Sequence, residues 1–283
     1  IVTADLLAPS GGSNPVLEQL MPINSFANSV VDNDYKYHEV GIIELNANLD
    51  NGNYLGGGNI KGQLTNVGRF IPDNFTVTTP FVGNFCGNVT YMEQPAIELT
   101  YEIEARNSTD DVTQNYTGEF VKSSVALVAE NSSNGINLAP ARLTGFAGSW
   151  ANGIYTNEED KVPDIDLVTF IRDATPVVDG PYDNLLFGVN LTETEGAALN
   201  DLDMLANTAK SLSLIGSEIR FGRWTIENTF GPETSDLPIP MALQYWDGSN
   251  FVTNTLDNCT TFDATNLTID NTNINPGTTT ASG

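Results

Sequence analysis

The sequence predicts an all-β protein, an antiparallel β-sandwich of Ig-like architecture arranged as two units with little helix. Three observations carry that expectation. One long stretch alternates apolar and polar residues without a break, turn signals separate the apolar runs, and helical periodicity is scarce. The alternation is clearest from Ile97 to Ala105. Ile97, Leu99, Tyr101, Ile103 and Ala105 share one face, and Glu98, Thr100, Glu102 and Glu104 share the other. Successive side chains of a strand point to opposite faces, so this reads as a half-buried strand with a solvated carboxylate face.

The other elements follow in chain order. Ile43, Leu45, Ala47 and Leu49 alternate with Glu44, Asn46 and Asn48, and the run ends at Asp50-Asn51-Gly52-Asn53 before Tyr54-Leu55. Asn-Gly tolerates positive φ at both turn positions, which predicts a hairpin. The loop signal Asn131-Ser132-Ser133-Asn134-Gly135 lies near the midpoint. It divides the chain into a unit over 1–134 with an N-terminal extension and a unit over 135–283 with an extended C-terminal tail. Thr192 to Ala209 is the one helix candidate, with Ala197, Ala198, Leu199, Leu202, Leu205 and Ala206 loosely spaced as a stripe; Gly196 interrupts it and no clear cap precedes it. Leu237-Pro238-Ile239-Pro240 removes two N–H groups from one side of an extended segment, as an edge strand or its lead-in would. Met241, Leu243 and Tyr245 then run through Trp246-Asp247-Gly248-Ser249-Asn250 to Phe251-Val252, a second hairpin. Thr268 to Gly283 is Asn- and Thr-rich, an extended or frayed end that is also able to add a strand to a neighbour.

A chain of 283 residues with 40% apolar content has ample material for a core, and no run approaches the ~20 apolar residues of a spanning helix. It starts at Ile1 with no charged and then apolar leader, which predicts a processed product or a piece of a longer protein. Its 36 acidic residues face only 11 Lys and Arg, a net charge of −25, and such a field repels nucleic acid. Few lysines among many Asn and Thr fit a secreted or surface protein in a salty habitat, where salt screens the self-repulsion. Cys86 and Cys259 fit neither zinc nor Cys-x-x-Cys spacing. An exported chain would most simply join them in a disulfide closing a loop of roughly 170 residues, worth around 4–5 kcal/mol in the chain-entropy model; two buried thiols are the alternative.

Signals for chemistry are few. His38 is the single histidine, so no multi-histidine zinc site can form, and it reads as a structural or surface residue at a strand start. Gly56-Gly57-Gly58 lacks P-loop spacing and reads as a tight bend. Asp32/Asp34, Glu158-Glu159-Asp160 with Asp164 and Asp166, and Asp201/Asp203 are the densest acidic clusters. Asp164, Asp166, Asp201 and Asp203 are the calcium candidates, although none matches the EF-hand pattern. Among the tryptophans, Trp224 reads as core, while Trp246 and Trp150 are the candidate carbohydrate contacts by ring stacking. Asn-x-Ser/Thr sequons start at Asn74, Asn88, Asn107, Asn115, Asn131, Asn190, Asn258 and Asn266.

Several segments carry a resemblance in preserved order. They are Glu39-Val40-Gly41-Ile42-Ile43, the stretch from Asn66 to Phe75, Tyr91-Met92-Glu93-Gln94-Pro95, Ala105-Arg106-Asn107, and Thr113-Gln114-Asn115-Tyr116-Thr117-Gly118. Asp179-Gly180-Pro181-Tyr182 and Phe221-Gly222-Arg223 through Cys259-Thr260-Thr261 complete the set. Over about Glu39 to Phe262 the chain resembles a large domain of MshQ-type proteins of mannose-sensitive haemagglutinin (MSHA) pilus biogenesis; the first ~38 residues match nothing in it. The resemblance implies a surface-displayed, pilus-linked protein of Gram-negative, often marine, bacteria, with no catalytic residues to carry over. The expected function is therefore a non-enzymatic extracellular structural or adhesive module. Its expected partners are other surface or pilus subunits, itself by strand addition, and host or environmental glycans, with no nucleic acid and no membrane span. The alternatives are a carbohydrate-binding module with optional calcium and, behind it, a glycoside hydrolase using paired acids.

Overall fold

In the computed structural model the described residues are 1–22, 30–138, 142–145, 148–157, 167–173, 178–232 and 234–261. In chain order the first strands are β1 (Val2–Ala8), β2 (Glu18–Gln19), β3 (Tyr35–Lys36), β4 (Gly41–Asn48), β5 (Lys61–Phe70), β6 (Asn74–Gly83) and β7 (Val89–Tyr91). The next are β8 (Ile97–Arg106), β9 (Ser123–Asn131), β10 (Ile136–Asn137), β11 (Leu143–Thr144), β12 (Ser149–Ala151), β13 (Ile154–Thr156) and β14 (Leu167–Phe170). The last are β15 (Tyr182–Glu193), β16 (Ala198–Leu199), β17 (Lys210–Ser211), β18 (Ser217–Arg220), β19 (Gly222–Ile226), β20 (Met241–Trp246) and β21 (Phe251–Thr253). The expected all-β class holds, and Gly118–Phe120 forms a short 3₁₀ turn.

Two large sheets enclose one core. The first runs β10-β9-β15-β18-β7 with β17 beside β15; the second runs β11-β14-β8-β13-β12, with β6 on the other edge of β8 and β16 beyond it. The β8 side chains alternate as the sequence predicted: Ile97, Leu99, Tyr101, Ile103 and Ala105 are buried. They meet Leu127 and Ala129 of β9 and Leu185, Phe187 and Val189 of β15 in a single apolar cluster. Burying these side chains removes ~1.5–3 kcal/mol each of unfavourable hydration, which is what holds the sheets face to face.

The expected division at Asn134 is not where the strands part. Asn131–Gly135 forms a turn inside one sheet, with the N–H groups of Asn134 and Gly135 donating to the Asn131 carbonyl at 3.1 and 2.8 Å. Strand β9 pairs with β15 from Leu185↔Asn131 to Glu193↔Ser123, and β8 pairs with both β13 and β14, so the two large sheets take strands from both sides of the turn.

The helix candidate over Thr192 to Ala209 is also corrected. Its first residues end β15, and Leu199 pairs with Phe75 in β16. Acidic side chains satisfy the N–H groups that a helix would pair internally. Glu193 accepts from Glu195 and Gly196 at 2.6 and 2.7 Å, and Glu130 accepts from Leu205 and Ala206 at 2.7 and 2.8 Å. The apparent stripe consequently splits, with Leu199 buried and Leu205 79% exposed.

Both predicted hairpins form. The β4–β5 connection spans Leu49 to Ile60, longer than a two-residue turn, and β20–β21 closes at Trp246↔Phe251 with the Asp247 carboxylate accepting from the Ser249 and Asn250 N–H groups. The Leu237–Pro240 segment makes no ladder and leads into β20, as its prolines require. Three small sheets flank the sandwich: β1-β4-β5, the ribbon β2-β3, and the terminal sheet β19-β20-β21.

The scarce cations are spent on architecture. Five arginines lie over aromatic rings: Arg69 on Phe120 and Arg142 on Phe170 at 4.3 Å, Arg172 on Phe221 and Arg220 on Tyr245 at 4.0 Å, and Arg223 on Phe251 at 3.6 Å. The sixth, Arg106, pairs with Glu104 and Asp110 at 2.6 and 2.7 Å. Among the described residues no helix is long and apolar enough to cross a membrane.

Candidate functional site: a strand-docking groove

The most elaborate polar arrangement lies where the N-terminal segment meets the sandwich. Glu39 is only 6% exposed. Its carboxylate accepts N–H bonds from Val40 at 2.8 Å, Gln114 at 3.0 Å and Asn115 at 3.1 Å. Burial pushes this carboxyl above the usual range, against the opposing pull of those three N–H groups. The effect is to fix the backbone of Asn115, which is itself 2% exposed.

The Asn115 side chain then works like a strand edge. Its Nδ2 donates to the carbonyls of Val40 at 2.9 Å and Ser13 at 2.8 Å, and its Oδ1 accepts the Ser13 N–H at 2.7 Å. One amide thus satisfies both backbone groups of Ser13 and ties them to the start of β4. Burial and the neighbouring Glu39 push the Tyr37 phenol up to about 12, so it stays a donor and bonds the Asn14 side chain at 3.2 Å. Beyond the clamp, β1 runs antiparallel to β4 from Val2↔Ala47 to Leu6↔Ile43, with a bulge between Leu6 and Ala8. The ladder ends with the Asn48 N–H donating to the Ile1 carbonyl at 2.8 Å.

Two glycines make the close approach possible. A Cβ on Gly12 would lie 2.4 Å from Asn115 Oδ1, and one on Gly41 would lie 2.7 Å from the Ala8 carbonyl oxygen. Any larger residue at either position pushes the segment off its groove.

The predicted site residues are distributed elsewhere. Cys86 and Cys259 are joined, with Cα atoms 5.7 Å apart and 173 positions between them in sequence, and they fasten the terminal sheet to the sandwich. His38 lies just after β3, its Nε2 2.5 Å from Glu18 Oε2, on the wall of a cavity of about 550 Å³ also lined by Glu39, Asp73 and Glu195. Those acids are engaged: Glu195 with Arg69 at 2.9 Å, Asp73 with the Asn74 side chain at 3.0 Å, and Glu39 as above.

Trp150 packs edge-on against Phe75, Tyr116 and Tyr155 at 5.6, 4.9 and 5.6 Å, beside the main core. Trp246 is half-buried and stands edge-on to Phe251 at 5.4 Å. The expectation for Trp224 is reversed: it sits on β19, 50% exposed. Asp164 and Asp166 lie outside the described residues. Asp201 is exposed, and Asp203 takes Lys210 Nζ at 2.7 Å and Ser211 N at 2.7 Å, which hold it below the usual range against partial desolvation. Among the described residues no three His, Cys, Asp or Glu side chains gather into a metal-binding group.

Glu39 and Asn115 do not stand out as a site from sequence alone. Asn115 is a sequon, and like the sequon Asn131 it is buried, where a glycan has no room. The one local signal was its place in the Thr113–Gly118 motif.

Comparison with known families decides the affiliation. Residues 39–218 match the model of DUF6701, third domain, and residues 220–283 match DUF6701, fourth domain. The chain belongs to the DUF6701 family. No curated protein and no solved structure matches it significantly. The two DUF6701 domains meet inside β18, which carries the chain from the sandwich to the terminal sheet. Residues 1–38 precede the matched region, so the third DUF6701 domain receives β1 from outside its own bounds.

Proposed function

We propose that the chain is a non-enzymatic, extracellular structural and adhesive module: a joint in a multidomain surface or pilus-associated assembly of a Gram-negative bacterium. The observation that carries this reading is how the third-domain sandwich is joined at both ends. Upstream, β1 is gripped through β4 and Asn115; downstream, β18 runs directly into a fourth domain stapled by Cys86–Cys259. A module whose buried polar side chains hold neighbouring chain is suited to transmitting load or position. The disulfide supports an oxidising compartment. The acids around the His38 cavity are tied to partners in a way that serves structure, which supports the non-enzymatic part.

Electron microscopy and surface-binding assays on the purified protein over a range of salt test the reading. Assembly into filaments, or capture by a surface-subunit preparation, is the expected result. A strictly monomeric, non-adherent protein at every salt concentration contradicts it.

A further inference from the structure

We propose that the β4 edge and the Asn115 clamp form a strand-accepting site that a second copy of this chain fills, the segment Val2–Ser13 being exchanged between two molecules. The proposal rests on the joint described above and adds that the joint also works between molecules.

The contacts that hold the segment do not depend on its covalent connection to the same molecule. They are the β1–β4 ladder, the Asn48 N–H on the Ile1 carbonyl, and the two bonds between Ser13 and Asn115. The same contacts form whichever molecule supplies the strand. The link to the next anchored element is short. Between Ser13 and Glu18, where β2 begins, lie only Asn14, Pro15, Val16 and Leu17, and Val16 is 91% exposed. The ribbon beyond is held by the β2–β3 pairing and by Glu18 on His38. Straightening those linker residues carries the strand away from its own groove while the rest of the fold stays in place, and short hinges of this kind favour exchange of identical elements.

The groove also selects its occupant. Its fit to Gly12 leaves no room for a Cβ beside Asn115, and Leu6 packs directly over Gly41. A second copy presents Leu6 and Gly12 at the required spacing. β5 already covers the other edge of β4, so each molecule accepts a single strand.

The test uses the intact chain, both of whose cysteines are already paired. Thr3 and Asn46 are cross-strand partners. A T3C variant and an N46C variant are mixed, incubated and mildly oxidised; a mixture of T3C with S249C, whose thiol lies at the exposed β20–β21 tip, reports random collision. The expected result is several-fold more T3C–N46C mixed dimer than T3C–S249C dimer, with a faster rise when both partners also carry N115A. Equal yields from the two mixtures, while the T3C/N46C double variant closes within one chain, overturn exchange and leave the joint intact. Failure of the double variant to close overturns the strand register itself, and the joint with it.

Discussion

At its N-terminal side the sandwich holds β1 through hydrogen bonds and close packing at Gly12 and Gly41, whereas at its C-terminal side the β19–β21 sheet is fastened by one disulfide and by the Arg172 and Arg220 stacks. The first attachment turns on two buried polar side chains, Glu39 and Asn115, each fully engaged with backbone groups. The second leaves apolar surface open, with Trp224 half exposed and Phe230 97% exposed. There, Arg220 lies under Tyr245 and bonds Asn254 at 3.1 Å, while Tyr91 donates to Asp257 at 2.9 Å. A strand held by matched hydrogen bonds can leave and return intact. A small sheet with little core of its own needs a staple that does not let go. The contrast predicts a reversible upstream joint and a permanent downstream one.

Removing the staple should have the largest effect. The C86S/C259S double variant is expected to lose about 4–5 kcal/mol of stability in urea unfolding by the chain-entropy model, with the terminal sheet opening first. A loss below ~1 kcal/mol would mean that the arginine stacks alone hold that end. Next comes Asn115→Ala, which leaves the Ser13 and Val40 groups without their partner; it should cost about 3 kcal/mol, concentrated in the β1–β4 region. An equal loss of protection in the terminal sheet would break the separation between the two ends. Gly41→Ala should cost about 1–3 kcal/mol through the clash with the Ala8 carbonyl, and it should release β1 without disturbing the Cys86–Cys259 end.

The smallest effect sharpens the comparison through pH. Glu39 has a folded pKa raised above its ordinary 4.5, so the native state binds its proton first. As pH falls from the raised folded value toward 4.5, this group adds stability, and the addition is lost again as pH rises through the folded value. Glu39→Gln removes the effect. The wild type should gain stability relative to E39Q on acidification through that window, measured as paired urea midpoints, and the opposite slope would refute the burial argument. Asp203 and Asp257, held below the ordinary range, act oppositely at lower pH and are common to both proteins.

How far the sequence revealed this depends on where each residue's partners lie. Strand β8 was readable because its alternation is local and its whole inner face meets the core. The Trp246–Phe251 hairpin was readable because Asp247 and Gly248 determine it within a few positions. The loop over Thr192 to Ala209 misled because its N–H groups are satisfied by Glu130, far away in sequence, which no local period reveals. Trp150 and Trp224 exchanged roles for a similar reason: three rings brought together by the sheets enclose one, and the open terminal sheet displays the other. The docking groove was least visible, since Ser13 and Asn115 are 102 residues apart and their chemistry is two ordinary amide contacts.

Native-state hydrogen exchange on the intact chain tests the central claim most directly. If β1 is a gripped strand, its ladder amides and the Ser13 N–H will be protected far above exposed loops, though less than those of β8 and β15, and Asn115→Ala will strip that protection while leaving β8 and β15 unchanged. If the β1 amides of the wild type exchange as fast as exposed loops, the joint does not exist.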